Sequence, residues 1–273
     1  MAIGEYIPER VLPQMIERVC DELGLNYQVY CDGWLLRITN DQQAAFVFGY
    51  TFSLNSSSAA EIAKDKVATY HVLHGAGVSV VPHYLLRPPV HGVVTSELIN
   101  SVVPDDAWPL VVKPLEGSSG KYVFVIEGAG ELREHCNERG GIVWAASPLM
   151  QAKSEIRVVI LDGQVQLIYR KVPRGSESTD MPLYNLGLGA QAQMIDPSDE
   201  VYSYLVEIAQ QTVQAMQLRF AAVDVFQLSD GSYSVLEVNA SIAFEHFARQ
   251  SSENWRLAMD CYRNILQAIF SRL

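Results

Sequence analysis

Apolar positions along the chain switch between a period near 3.6 and a period of two, and the switches mark its elements. Residues 8–23 carry a helical stripe, interrupted or started late by Pro13. Short alternating runs at 27–31, 34–39 and 45–50 predict strands. The serine-rich stretch 53–58 predicts a linker and helix entry. The helix then runs from Ala59 to Gly75, where Gly75-Ala76-Gly77 stops it. Residues 78–86 read as extended around Pro82, and Arg87-Pro88-Pro89 as a loop.

From Leu110 the order becomes strand (110–113), glycine loop (116–120), strand (122–126) and helix (129–139). A strand at 142–145 leads into Ser147-Pro148-Leu149-Met150. Runs at 156–161 and 164–170 flank Asp162-Gly163, a hairpin signal. Residues 173–190 read as loop, and 198–216 as a helix capped by Ser198. A second hairpin, 221–228 and 233–239, turns at Asp230-Gly231. Trp255, Ala258, Met259, Tyr262, Ile265, Leu266, Ile269 and Phe270 then form a helical stripe that should pack on the body. No tandem repeat is visible, and the fold class is α+β.

Composition narrows the class. With 49% hydrophobic and 19% charged residues, the 273-residue chain is globular and long enough for one large or two modest domains. No apolar run spans a membrane, and the N-terminus lacks a secretory pattern. The scattered Cys20, Cys31, Cys136 and Cys261 point to reduced thiols and a cytoplasmic protein. A net charge of −11 argues against general nucleic-acid or anionic-membrane binding.

Candidate chemistry concentrates in two places. In the second hairpin, Asp224 lies on one arm, and Glu237 and Asn239, two apart on the other, share a face. Oxygen ligands on one rigid face suit Mg²⁺ beside a nucleotide. Upstream, Lys113-Pro114-Leu115-Glu116-Gly117-Ser118-Ser119-Gly120 follows an apolar strand. Its lysine offers a point charge and its loop offers backbone N–H groups to phosphate, although a plain glycine-rich turn is as common. No Walker ending is present.

Taken together, these motifs resemble the ATP-grasp superfamily, especially carboxylate–amine ligases of the ribosomal-protein-S6 modifying, glutathione synthetase, cyanophycin synthetase and D-alanine–D-alanine ligase kind. The resemblance covers roughly residues 59–247. It runs through Ile62-Ala63-Lys64-Asp65-Lys66-Val67-Ala68-Thr69, Leu73-His74-Gly75-Ala76-Gly77-Val78 and Lys113-Pro114, and ends with Val223-Asp224-Val225 and Leu236-Glu237-Val238-Asn239. It implies an ATP-grasp fold: two α+β subdomains clasping ATP, preceded by a short N-terminal α/β region. The expected divisions are 1–58, a reduced N-terminal region; 59–145, the N-terminal and lid subdomain; and 146–273, the C-terminal subdomain with the metal site.

By position, the resemblance implies that Lys66 and Lys113 bind the nucleotide, with Gly117, Ser118, Ser119 and Gly120 as a mobile lid. Ser147, Pro148, Leu149 and Met150 form the hinge that reads adenine through its backbone, and Glu155 holds the ribose. Arg157, Arg170 and Lys171 become catalytic groups near the transferred phosphate. Asn185, in Asn185-Leu186-Gly187-Leu188-Gly189-Ala190, resembles a loop of the ribosomal-protein-S6 modifying subgroup. Asp224, Glu237 and Asn239 become ligands for Mg²⁺ or Mn²⁺.

The implied activity is ATP-dependent ligation of a small carboxylate, such as an amino acid or peptide, to an amine through an acyl-phosphate, releasing ADP and phosphate. A homodimer is the common arrangement of similar ligases. The alternatives are a small-molecule kinase on the same fold, or a nucleotide-binding regulatory module without ligase activity. The chain departs from the pattern in its Ser147-Pro148 hinge, in Ala222, and in Ile242-Ala243, expected to alter the acceptor pocket floor. Lys66 alone reads as an exposed helix lysine, and Glu155 with Arg157 as a strand-face ion pair. His71 and His74 read as helix-surface residues. Glu245, His246, Arg249, Arg174 and Glu177 are candidates for the acceptor side. Asp224→Asn and Glu237→Gln are expected to abolish turnover while leaving folding largely intact.

Overall fold

The computed structural model describes residues 10–88, 93–116, 122–173 and 184–271. The chain begins with α1 (Leu12–Leu23), followed by β1 (Asn26–Tyr30), β2 (Leu35–Thr39), β3 (Ala44–Phe48) and β4 (Thr51–Phe52). These four strands form an antiparallel sheet in sequence order. Next come α2 (Ser57–Lys64), α3 (Lys66–Gly75), β5 (Tyr84–Leu86), α4 (Ser96–Val102), β6 (Leu110–Pro114), β7 (Phe124–Ile126), α5 (Ala129–Glu138) and β8 (Trp144–Pro148). Strands β5–β8 make a second antiparallel sheet, ordered β5-β8-β6-β7.

The largest sheet combines β9 (Ala152–Leu161), β10 (Gln164–Val172), β11 (Gln191–Met194), β12 (Phe220–Leu228) and β13 (Tyr233–Asn239) in the order β11-β10-β9-β12-β13. Helix α6 (Tyr202–Ala215) precedes β12, and α7 (Glu245–Ala248) and α8 (Ser252–Phe270) end the described chain. Both expected hairpins form. The tight Asp162-Gly163 turn holds both residues at positive φ (47° and 76°), the conformation a two-residue I′ turn requires.

Each face of the five-stranded sheet has its own core. Ile156, Val158, Ile160, Val223 and Val225 point to one face, where Ala59, Ala63 and Leu73 of α2 and α3 and Leu205 and Ala209 of α6 cover them. Val159, Leu161, Tyr169, Phe220 and Ala222 point to the other, against α1, α8 and the N-terminal sheet. The second sheet has a separate core around Leu110, Val112, Leu132 and Trp144.

Several expectations change. The single helix expected from Ala59 to Gly75 breaks at Asp65, whose φ/ψ of −90°/107° is extended. Its carboxylate caps α3 by accepting from Val67 N and Ala68 N at 2.9 and 2.8 Å. Helix α2 packs on the five-stranded sheet through Ala59 and Ala63, and α3 packs on both sheets, with Leu73 in the core of the five-stranded sheet and Val67 against Leu115 and Ala145. Ser198 does not cap α6: its N–H and hydroxyl donate to Asp196, and the helix starts at Tyr202. Ile242 is buried in the core beside α8 instead of flooring a pocket. His71 and His74 lie exposed on α3, each against Tyr70.

Candidate active site

Strand register assembles the site. Asp224 lies opposite Arg157 on β9 and opposite Glu237 on β13, while Ala222 faces Asn239. On the far side of β9, Arg157 pairs with Tyr169 and Glu155 with Lys171. Alternation along each strand therefore sends Glu155, Arg157, Tyr169, Lys171, Asp224, Glu237 and Asn239 to one face. The apolar residues of that face fill the core, and the charged ones occupy its other end. A bulge between Asp224 and Val225 shifts the β12–β13 register just past the acids.

The charged groups interlock. Arg157 donates from Nε to Asp224 Oδ1 at 2.8 Å and from Nη2 to Oδ2 at 2.6 Å, a bidentate fork. Lys171 Nζ lies 3.1 Å from Asp224 Oδ1 and also donates to Glu155. Asn239 Nδ2 donates to Asp224 Oδ2 at 3.3 Å and to Glu237 Oε1 at 3.2 Å. Burial works against ionising the fully enclosed Asp224, but Arg157 and Lys171 outweigh it and hold the carboxyl at about 2. Glu155 goes the other way: burial dominates and raises it to about 7 despite Lys171.

The second sheet brings further cations to this face. Burial and neighbouring Lys66 lower Lys113 to about 8, while Glu237 and Glu155 oppose the shift, so Lys113 lies within the field of the acidic hairpin. Lys66, buried at the start of α3, donates to the Leu115 carbonyl at 3.4 Å. It is thus no surface lysine. At the hinge, Leu149 N–H donates to Pro109 O at 2.8 Å, which commits one backbone donor expected to be available for adenine. Pro148 and Met150 flank it, half-buried.

Not every expected residue joins. Arg170 follows strand parity to the opposite face, where it lies opposite Ile156 and acts on Tyr233; its neighbour Lys171 takes the site position. Asn185 Oδ1 accepts from Gly187 N at 2.8 Å and so shapes its own loop, which meets His246. Glu245 is buried and accepts from Val11 N, Leu12 N and Tyr50 Oη, so it caps α1 and does not face a substrate. His246 and Arg249 are exposed and line a surface cleft of about 330 Å³ with Leu186, Gly189 and Gln191. Gly117, Ser118, Ser119 and Gly120, like Arg174 and Glu177, lie outside the described residues. Tyr169 is a site residue not anticipated: it lies against Arg157 and stacks on Phe247 with centroids 4.9 Å apart. Its spacing of two from Lys171 was the available signal.

Asp224, Glu237 and Asn239 offer two carboxylates and, with the Asn239 amide turned over, a third oxygen. That donor set fits a hard divalent cation. Among the described residues no three His, Cys, Asp or Glu side chains form a metal-holding group. No described helix is long and apolar enough to cross a membrane, and all four cysteines are free.

A probable alpha-L-glutamate ligase of Haemophilus influenzae is 29% identical over 205 residues, covering 74% of this chain and 63% of that protein. A D-alanine–D-alanine ligase of Syntrophotalea carbinolica is 27% identical over 187 residues, 66% of this chain and 57% of the relative. The chain thus spans about three fifths of the length of these curated relatives. Among solved structures, the D-alanine–D-alanine ligase from Bacillus anthracis complexed with ATP superposes with a TM-score of 0.57 at 20% identity, over 80% of this chain and 68% of that one. The ATP-grasp ligase PsnB complexed with a minimal precursor gives 0.54 at 20% identity, over 77% and 64%. These likenesses show a shared fold. The family model for the RimK-like ATP-grasp domain matches residues 63–262, and the chain belongs to that family.

Proposed function

We propose that the protein is an ATP-dependent carboxylate–amine ligase that activates a carboxylate as an acyl-phosphate and joins it to an amine. The observation that carries this reading is the convergence of Arg157, Lys171, Lys113 and Lys66 with Asp224, Glu237 and Asn239 around one sheet face. Four basic side chains meet three acidic ones, counting Glu155, in a chain whose net charge is −11. Such a local excess favours a polyanion.

Lys66 and Lys113 are suited to hold the nucleotide's phosphates. Arg157 and Lys171 are suited to face the group in transfer, where charge develops. Asp224, Glu237 and Asn239 would hold Mg²⁺ or Mn²⁺, which when bound neutralises phosphate charge. Glu155, raised to about 7 and paired with Lys171, limits that lysine's freedom. The relatives named as glutamate and D-alanine ligases support an amino acid or peptide as the carboxylate, the amine, or both.

A screen of amino acids and peptides by ADP release, with mass spectrometry of products, tests the proposal. ADP release that requires both a carboxylate and an amine, with an amide product, is the expected result. A stable phosphorylated product formed without an amine would mean a kinase. Turnover independent of both would sink the ligase reading.

A further inference from the structure

His83 is 2% exposed, and its chemistry has no assigned use. It lies where two sheets meet. Val81 N donates to Val235 O and Val235 N to Ser79 O, both at 2.9 Å, which ties this segment to β13 just ahead of Glu237. One residue beyond His83, Tyr84 pairs with Ala146, which ties it to β8 at the end that leads into Pro148 and Leu149. The imidazole thus sits between the acidic hairpin and the hinge, with Lys113 and Lys66 as its charged neighbours.

Its hydrogen bonding is half complete. Nδ1 lies 3.0 Å from the Val81 carbonyl, an acceptor, so Nδ1 carries the proton in this contact. In the neutral ring Nε2 is then a bare lone pair, and it is buried with no hydrogen-bond partner among the described residues. Burial, then Lys113, push this ring down to about 3, so it stays neutral over the working pH range. A buried acceptor in the field of two lysines lacks the partner that buried polar groups almost always have. Lys66 already donates to the Leu115 carbonyl; Lys113 is the first charge to act on the ring.

We propose that His83 is a positioning residue for Lys113: its Nε2 accepts a hydrogen bond from the Lys113 ammonium when a nucleotide occupies the site, and so fixes that charge at the phosphates. The proposal rests on the nucleotide-binding reading of the site. It requires an acceptor at Nε2, not a charge.

The test uses the full-length protein, Mg²⁺ and a fluorescent ADP analogue, with affinity followed into the millimolar range. His83→Leu removes the acceptor and keeps bulk, and His83→Gln returns an oxygen near the Nε2 position. The expected result is about a tenfold loss of affinity for His83→Leu, the scale of one hydrogen bond to a charged group, and recovery for His83→Gln. In a cycle with Lys113→Met, the two losses should be strongly non-additive, because both remove the same interaction. Thermal unfolding without nucleotide reads separately the Nδ1 contact to the Val81 carbonyl that His83→Leu loses, and affinity is measured well below the unfolding temperature of each protein. Additive losses in the cycle, or equal losses for His83→Leu and His83→Gln, overturn the proposal and leave the ligase reading standing. Wild-type protein that binds no ADP analogue removes both.

Discussion

At the scale of single residues, Asp224 has two jobs that the sequence shows as one. It belongs to the candidate metal set, and it is also the carboxylate on which Arg157 and Lys171 close. Removing one member of a buried pair strands the charge of the other. Asp224→Asn should therefore destabilise the nucleotide-free protein by roughly 3–5 kcal/mol in urea unfolding, contrary to the expectation of an intact fold. Glu237→Gln is the cleaner substitution, because no ion pair closes on Glu237 among the described residues. It should leave unfolding within about 1 kcal/mol of wild type, because Gln keeps an oxygen that can accept from Asn239 Nδ2. Calorimetric binding of ADP with Mg²⁺ should nevertheless be lost; retained binding would remove Glu237 from the metal set. Glu155 gives a signature in pH. Its folded value of about 7 exceeds its ordinary 4.5, so the folded state holds the proton more tightly. Its contribution is complete below about 4.5 and is lost as pH rises through 7. Asp224, held at about 2, acts oppositely, and its contribution is lost as pH falls from about 4 toward 2. Comparing urea unfolding of wild type and Glu155→Gln at pH 5 and pH 7.5 isolates the first effect: the wild type should lose more stability across that interval than the variant.

At the scale of elements, the break between α2 and α3 places Lys66. Asp65 leaves helical geometry and caps α3 with two bonds, which sets Lys66 in the first turn and buries it toward Leu115. Asp65→Ala should cost about 1 kcal/mol, the worth of an N-cap, and should also weaken ADP binding by freeing the turn that carries Lys66. Stability lost with affinity unchanged would separate the cap from the site. The apolar stripe runs unbroken through Asp65, which is why periodicity alone reads one helix from 59 to 75. Hairpins were more legible, because alternation and Asp-Gly turns are local signals: the shared face of Glu237 and Asn239 could be read directly. Arg157 meeting Asp224 could not, since it depends on β9 pairing with β12 across 67 residues of sequence. Parity along β10 is a local signal too, and it separates Lys171 and Tyr169 from Arg170. His83 left no periodic trace. Its importance comes from three segments meeting, and only the folded chain brings those together.

At the scale of the whole molecule, the N-terminal helix and sheet are structural partners of the five-stranded sheet rather than a detachable preface. Leu12, Met15, Ile16 and Val19 of α1 are completely buried in the core that also holds Val159, Phe220, Ala222 and Tyr262. Glu245, six residues beyond Asn239, closes the same junction by capping α1 through Val11 and Leu12. The apolar half of the site face is thus covered by residues 10–54 together with α7 and α8, while Lys113 of β6 lies within the field of its charged half. Removing residues 1–56 would expose Phe220, Phe247 and Tyr262 together, an apolar surface too large for a soluble monomer to tolerate. The truncated chain should lose cooperative thermal unfolding and bind an environment-sensitive hydrophobic dye, even though all the assigned site residues remain in it. A milder probe separates folding from chemistry: Ile16→Ala, on the core side of α1, should cost roughly 2–5 kcal/mol. ADP affinity measured well below its unfolding temperature should stay near wild type, because α1 touches the face of the sheet and not the charged cluster. A truncated protein that unfolds cooperatively and binds ADP would show instead that the C-terminal sheet buries its own core. The shared packing of α1, α8 and β12 argues for the opposite outcome: the N-terminal helix and the C-terminal sheet bury one core between them.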